Sequence, residues 1–275
     1  MDLWQAIVLG IVEGLTEFLP VSSTGHLTIT EKLLGLPIDD DSITAFTAVI
    51  QMGAIVAVLL YFFKDIIKLL EAGYAGVRSP AARDNQDWRL ACAVVVGSIP
   101  IGIIGFALKD VISGPLRSLW VVGFALILWS GVMVYAERQA TAERHEGDVT
   151  NRDAVAIGLM QCVALIPGVS RSGATISAGL LRGIDRVTAT RLSFFLSIPA
   201  LTAAGLYELK DALDGGVGLG PTLVGTVVAF FVAYASVAWL LRFVSSNRIT
   251  TFVPYRVVLG LAIMVTLAAG WLSPT

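Results

Sequence analysis

Glu13 and Glu17 stand four residues apart at the head of EGLTEFLPVSSTGH, a stretch out of character with the apolar sequence around it. On a helix that spacing puts both carboxylates on one face. Pro20 then breaks the helix, and Ser22-Ser23-Thr24-Gly25 opens another, with His26 one residue on. Ser and Thr are favoured N-caps, and a helix start with free N–H groups is a ready anion site. A second stretch, PGVSRSGAT from Pro167 to Thr175, repeats the arrangement. Its Ser170-Arg171-Ser172-Gly173 adds a guanidinium, whose fork matches phosphate oxygens bidentately. Carboxylates at the same place would repel an anion. Two readings remove the conflict and both stay open: a divalent cation bridges carboxylates and phosphate, or a carboxylate works as acid or base. Either points to phosphoryl chemistry.

The elements that must position these residues are apolar. The chain has 275 residues, 56% hydrophobic and 15% charged, with a mean hydropathy of +0.79. The excess over a soluble protein's roughly 45–50% apolar content is concentrated in runs such as Ala91–Leu108, Leu119–Ala136, Leu223–Leu241 and Val257–Trp271. Each is near the roughly 20 residues a spanning helix needs. An all-α integral membrane protein is expected, and no basic, aromatic-laced patch suggests nucleic acid. Cys92 and Cys162 lie in apolar surroundings and read as small packing residues, without disulfide or metal spacing. The first basic residue is Lys32, so the basic flank of a cleavable leader is missing and the first apolar segment is expected to stay.

The chain also resembles itself. Gly10–Gly25 falls on Gly158–Gly173 with glycines at both ends coinciding, Ser22 on Ser170 and Ser23 on Arg171. YFFKD (Tyr61–Asp65) matches YELKD (Tyr207–Asp211), and VVGFALI (Val121–Ile127) matches VLGLAIM (Val258–Met264). Two homologous halves are expected, 1–145 and 150–275. Each opens with a re-entrant hairpin (3–36 and 154–181) whose arms are too short to cross twice, followed by three spanning helices. Three crossings invert the second half relative to the first, an architecture familiar from transporters. Most of the nineteen Lys and Arg then fall in Phe63–Arg89, Glu137–Asp153, Arg182–Arg191 and Arg242–Arg256. The other side holds Lys32, Lys109, Arg117, Lys210 and the acidic run Asp39–Asp41, leaving Arg171 at a hairpin tip. The positive-inside rule makes the first set cytoplasmic and both termini external.

EGLTEFLPVSSTGH together with PGVSRSGAT resembles the undecaprenyl-diphosphate phosphatase family, the bacitracin-resistance type, over essentially the whole chain. The resemblance implies a bacterial plasma-membrane enzyme that removes the terminal phosphate of undecaprenyl diphosphate and so recycles the cell-wall carrier lipid. It carries active-site positions onto Glu13, Glu17, Ser22, Ser23, His26, Ser170, Arg171 and Thr175, implies dependence on a divalent cation such as Mg2+ or Ca2+, and implies a site open to the outer face. Arg171 and the helix starts, with Thr24, Gly25, Ser172 and Gly173, are expected to hold the diphosphate. Glu13 and Glu17 are expected to take the metal, and Glu17 and His26 to handle protons. Ser23 or an activated water attacks the phosphorus, and the sequence does not choose. Gln51 and Arg191 are expected to support the site from behind, and His145 to be solvated. The prenyl tail is expected to lie among the helices against membrane lipid, and pairing into a homodimer is left open. The rival reading is a secondary transporter or flippase of an anionic prenyl-phosphate lipid.

Overall fold

The computed structural model describes residues 1–38, 40–214 and 217–274, with the backbone alone at 113 and 210–214. Asp39 of the acidic run therefore lies outside the described residues, as do the side chains of Lys210 and Asp211. The described residues are helical, with short 3-10 turns and one isolated bridge pairing Arg144 with Ile184. In chain order the helices are α1 (Leu3–Thr16), α2 (Ser23–Leu33), α3 (Asp41–Tyr61), α4 (Phe63–Arg78), α5 (Gln86–Ala107), α6 (Lys109–Ser113), α7 (Leu119–Gln139), α8 (Asn151–Val163), α9 (Arg171–Leu181), α10 (Arg186–Asp214), α11 (Leu219–Val244) and α12 (Val253–Ala268).

Among the described residues six stretches are long and apolar enough to cross a membrane: Asp41–Tyr61, Gln86–Ala107, Leu119–Gln139, Arg186–Leu209, Leu219–Val244 and Ile249–Ala268. The protein is an all-α, multi-pass membrane protein. The first apolar segment is divided into α1 and α2, of 14 and 11 residues, and its later counterpart into α8 and α9, of 13 and 11 residues. At about 1.5 Å per residue none of these four reaches across a hydrocarbon core of roughly 30 Å.

Local chemistry sets the helix ends. Asp40 Oδ1 accepts from the backbone N–H of Ser42 (2.8 Å) and Ile43 (3.2 Å) at the start of α3. Thr150 caps α8, its Oγ1 accepting from Asp153 N (3.3 Å) while Asp153 Oδ2 accepts from Thr150 N (2.9 Å). Gly183, at φ +75°, ends α9 in the left-handed region that costs a side chain energy. Its carbonyl accepts from Arg144 N (3.0 Å), which ties the α7–α8 connection to the α9–α10 turn.

Packing between helices relies on small residues, the usual membrane device. A Cβ on Gly14 would lie 2.8 Å from Ala229 O, so α1 meets α11 at a distance only hydrogen allows. The approach of α8 to α5 is closer still, with Gly158 against the backbone of Gly97. Helices α7 and α12 face each other through Gly123 and Gly260. An aromatic core forms around α10, where Phe194 meets Phe18 edge to face (5.3 Å) and Phe195 meets Phe62 (5.1 Å).

Two segments depart from the sequence reading. Phe63–Arg89 was expected only as a connection, yet it contains α4, whose exposed face carries Phe63, Ile67, Leu70, Tyr74 and Val77. Its apolar residues follow helical spacing but are too few for a span, so the run-length criterion passes over them. Arg256, expected at the end of a cytoplasmic connection, is instead wholly buried in α12. The other basic connections are held by ion pairs. Asp153 accepts from Arg182 Nε (2.7 Å) and from both terminal nitrogens of Arg144. Arg191 pairs with Glu146 (2.8 Å) and Asp65 (3.1 Å), and Arg186 with Glu137. His145 is exposed as expected, and also pairs with Asp185 (2.9 Å).

Candidate active site

The breaks α1–α2 and α8–α9 meet tip to tip. Ser22 and Ser170 cap α2 and α9 from left-handed backbone, at φ +79° and +78°. Such a conformation in a residue other than glycine costs of order 1–3 kcal/mol and persists here at matching positions. Each Oγ accepts from the N–H three residues on, Gly25 (3.3 Å) and Gly173 (3.2 Å). The tips also grip each other: Gly168 N donates to Ser22 Oγ (3.1 Å), and Ser172 Oγ donates to Leu19 O (2.8 Å). Ser170 Oγ lies 3.1 Å from Ser172 Oγ.

Glu17 stands at the junction, 5% exposed. Its Oε2 accepts from Ser23 Oγ at 2.5 Å and from Gln51 Nε2 at 3.2 Å, while Oε1 accepts from Arg171 Nη2 at 2.9 Å. A short charge-assisted bond of this kind polarises the hydroxyl toward the carboxylate. Arg171 Nη1 donates to Ser193 O (3.1 Å), its Nε is buried without a partner among the described residues, and its guanidinium carbon lies 5.9 Å from the centre of the Phe18 ring. Thr175 is buried, with Oγ1 2.9 Å from Arg171 O and 2.7 Å from Ser193 Oγ. An arginine with donors to spare, a carboxylate and a hydroxyl thus converge beside two helix starts.

Glu13 lies one turn back on α1, wholly buried, and neither of its carboxylate oxygens has a hydrogen-bond partner among the described residues. A buried carboxylate left so is costly, and it is the donor that a cation would satisfy. Among the described residues no three His, Cys, Asp or Glu cluster as a metal site. Glu13 and Glu17 are thus the carboxylates available to a cation, and a hard ion such as Mg2+ is commonly bound by one or two carboxylates with phosphate oxygens and water completing its shell.

Several expected residues sit differently. His26 is near the tip but bonds neither Glu17 nor Ser23. Its Nδ1 lies 2.7 Å from Ser22 O, and its Nε2 2.6 Å from Tyr255 Oη. Thr24 is exposed, a helical step away from Ser23, and the structure does not bring it into the cluster. Gly25 and Gly173 contribute their N–H groups to the caps. Gln51 does reach Glu17, whereas Arg191 is held by Asp65 and Glu146 and takes no part.

Sequence reasoning missed Arg256. Its Nη1 donates to Pro20 O (3.0 Å) and its Nη2 to Gly168 O (2.9 Å) and Val169 O (3.1 Å), so one guanidinium fastens both tips. Its Nε donates to Ser130 Oγ (3.2 Å). The available signal was an arginine seven residues into an apolar run that began earlier than expected.

Fold and site together define a multi-pass membrane protein with a carboxylate–hydroxyl–guanidinium centre where two broken helices meet. The chain belongs to the family described as "Bacitracin resistance protein BacA", which matches residues 6–262. It is 58% identical over 278 residues to "Undecaprenyl-diphosphatase 3" of Frankia casuarinae, covering 100% of both chains. It is 54% identical over 274 residues to "Undecaprenyl-diphosphatase 1" of Streptomyces avermitilis (99% of each chain), and 55% identical to "Undecaprenyl-diphosphatase" of Cutibacterium acnes (96% of each).

Proposed function

We propose that this chain is an undecaprenyl-diphosphatase. It removes the terminal phosphate of undecaprenyl diphosphate to give undecaprenyl phosphate and inorganic phosphate, which recycles the cell-wall carrier lipid and gives bacitracin resistance. Full-length identity of 50–58% to proteins of that name supports the activity. The observation that carries the site assignment is Glu17 holding both the Ser23 hydroxyl and the Arg171 guanidinium.

In this reading Arg171 and the N-termini of α2 and α9 hold the diphosphate, with Ser22, Ser170, Ser172, Gly173 and Thr175 shaping the cradle. Ser23 Oγ forms a bond to the terminal phosphorus as the bond to the bridging oxygen breaks, and the serine proton passes to Glu17. Undecaprenyl phosphate leaves. Water then bonds to the phosphorus, giving a proton to His26, as the bond to Ser23 Oγ breaks; Glu17 returns its proton to Ser23 and inorganic phosphate leaves. A divalent cation, Mg2+ or Ca2+, would be held by Glu13 and Glu17 and would neutralise phosphate charge when bound. Most of the catalysis is positioning and charge neutralisation.

The two halves, 1–145 and 150–275, are read as inverted repeats opening on re-entrant hairpins. Three features support this. Ser22 and Ser170 share an unusual backbone. The Gly10–Gly225 approach is mirrored by Gly158–Gly97, and Gly123 faces its own counterpart Gly260. With the basic connections cytoplasmic, both termini and the mouth of the site face outward, and the prenyl tail lies among the helices against lipid. The same architecture favours the rival, a carrier of anionic prenyl lipids. Phosphate release by purified protein in detergent, with and without chelator, separates the two: an enzyme turns over without a second compartment, and a carrier does not.

A further inference from the structure

His26 is held from both sides. Ser22 O can only accept, so the 2.7 Å contact requires the proton on Nδ1. In the neutral ring Nε2 is then the bare nitrogen, and the Tyr255 hydroxyl donates to it at 2.6 Å. The two rings stack with 5.6 Å between centroids and 16° between planes. One bond alone would leave the imidazole free to swing about its side-chain torsions. Two bonds at opposite ring nitrogens, with a stacked face, leave a single orientation.

Tyr255 is itself fixed. It lies in the first turn of α12 beside Arg256, whose guanidinium grips Pro20, Gly168 and Val169 at the two tips. Tyr255 is 51% exposed whereas Arg256 is wholly buried. Adjacent residues of one helix thus serve opposite ends of the site: the arginine locks the tips, and the tyrosine presents its hydroxyl on the open side.

We infer that Tyr255 is a positioning residue for the reaction. It keeps the Nε2 lone pair of His26 unprotonated and turned to the exposed phenol, with no bond from the ring to Glu17 or Ser23. His26 enters as a proton acceptor for water arriving from the open side. The phenol keeps its own proton and gives up its place on Nε2 to that water. This inference rests on the phosphatase reading for the word "reaction" and on geometry alone for the His26–Tyr255 arrangement.

The chain has only two histidines, which makes the test direct. The full-length protein with nitrogen-15 in its histidine rings is examined by NMR in detergent, with His145→Gln to assign the exposed ring. Wild type is expected to show one His26 species, protonated at Nδ1 and hydrogen-bonded at Nε2. Tyr255→Phe, which keeps the ring and loses the hydroxyl, is expected to move the Nε2 resonance toward that of a free ring nitrogen. In the same variant kcat falls about tenfold or more, a share of the roughly 10²–10⁴ that a positioned base supplies, while KM stays within about twofold. An unmoved Nε2 resonance overturns the inference. So does a rise in KM at constant kcat, which would make Tyr255 a substrate contact. Absence of turnover in wild type would sink the phosphatase reading instead, and the ring resonances would still decide the arrangement.

Discussion

Replacing Arg256 by glutamine tests whether a single guanidinium holds the two tips together. The side chain is wholly buried and makes three bonds of 3.1 Å or less to tip carbonyls, those of Pro20, Gly168 and Val169. Its contacts with Ser130 Oγ (3.2 Å) and Leu126 O (3.5 Å) are weaker. Hydrogen bonds to a charged group are worth about 1.5–3 kcal/mol each, so three give a gross loss of roughly 5–9 kcal/mol. Relief from burying the charge, together with whatever bonds the amide of glutamine recovers, offsets part of this. A net loss of about 3–5 kcal/mol remains, large for a single substitution. At about 2–4 °C per kcal/mol for a chain of this order of length, the midpoint should fall by about 6–20 °C. The assay is thermal unfolding in detergent followed by tryptophan fluorescence, with phosphate release measured well below the transition. Turnover should fall as well, because the tips carry Ser22–Ser23 and Ser170–Arg171. An Arg256→Gln protein that melts within about 2 °C of wild type and keeps full turnover would refute the clamp.

Five further substitutions test the same structure. Arg171→Lys keeps a charge but loses the fork that spans Glu17 and Ser193, so kcat/KM should fall at least tenfold, read from initial rates of phosphate release. Ser23→Ala should abolish the serine route; turnover within tenfold of wild type would assign the attack to water. A Cβ at Gly158 collides with the Gly97 backbone, so Gly158→Ala should cost about 1–3 kcal/mol by overpacking, whereas Gly131 has open space around it and Gly131→Ala should stabilise its helix by about 0.5–1 kcal/mol. Burial raises the Asp153 carboxyl, but hydrogen bonds from Arg144, Thr150 and Arg182 overcome this and hold it well below the usual range. A depressed carboxyl contributes stability that is present above its unfolded value of about 3.9 and is lost as pH falls through the folded one. Asp153→Asn should therefore lower the midpoint at pH 7, with the gap to wild type narrowing below about pH 4.

How much was legible depends on how local the signal is. The Glu17–Ser23–Arg171 centre could be read because its parts lie within two short motifs of unusual polarity in an apolar chain. The six spans could be read from run length, since a bilayer imposes a minimum on each. The partners of these residues could not. Tyr255 meets His26 across 229 positions and Arg256 meets Pro20 across 236, and nothing in the intervening sequence marks either meeting. Arg256 was also misplaced by a sound rule: a lone arginine near a basic connection counts toward the charge bias, and only packing reveals that it turns inward. Thr24 was grouped with Ser22 and Ser23 by adjacency, although one residue along a helix rotates a side chain by about 100°, enough to leave the cluster. Helix α4 escaped because its apolar stripe has the period of a helix without the length of a span.

The most direct test of the central claim is the turnover of undecaprenyl diphosphate by Glu17→Gln, with folding verified from its melting profile. Glutamine keeps the shape of Glu17 and removes the acceptor of the Ser23 proton and the partner of Arg171. The account predicts a folded protein whose kcat is lower by about 10²–10⁴, the contribution of a positioned base. A folded Glu17→Gln protein releasing phosphate at the wild-type rate would contradict it and place the chemistry elsewhere in the molecule.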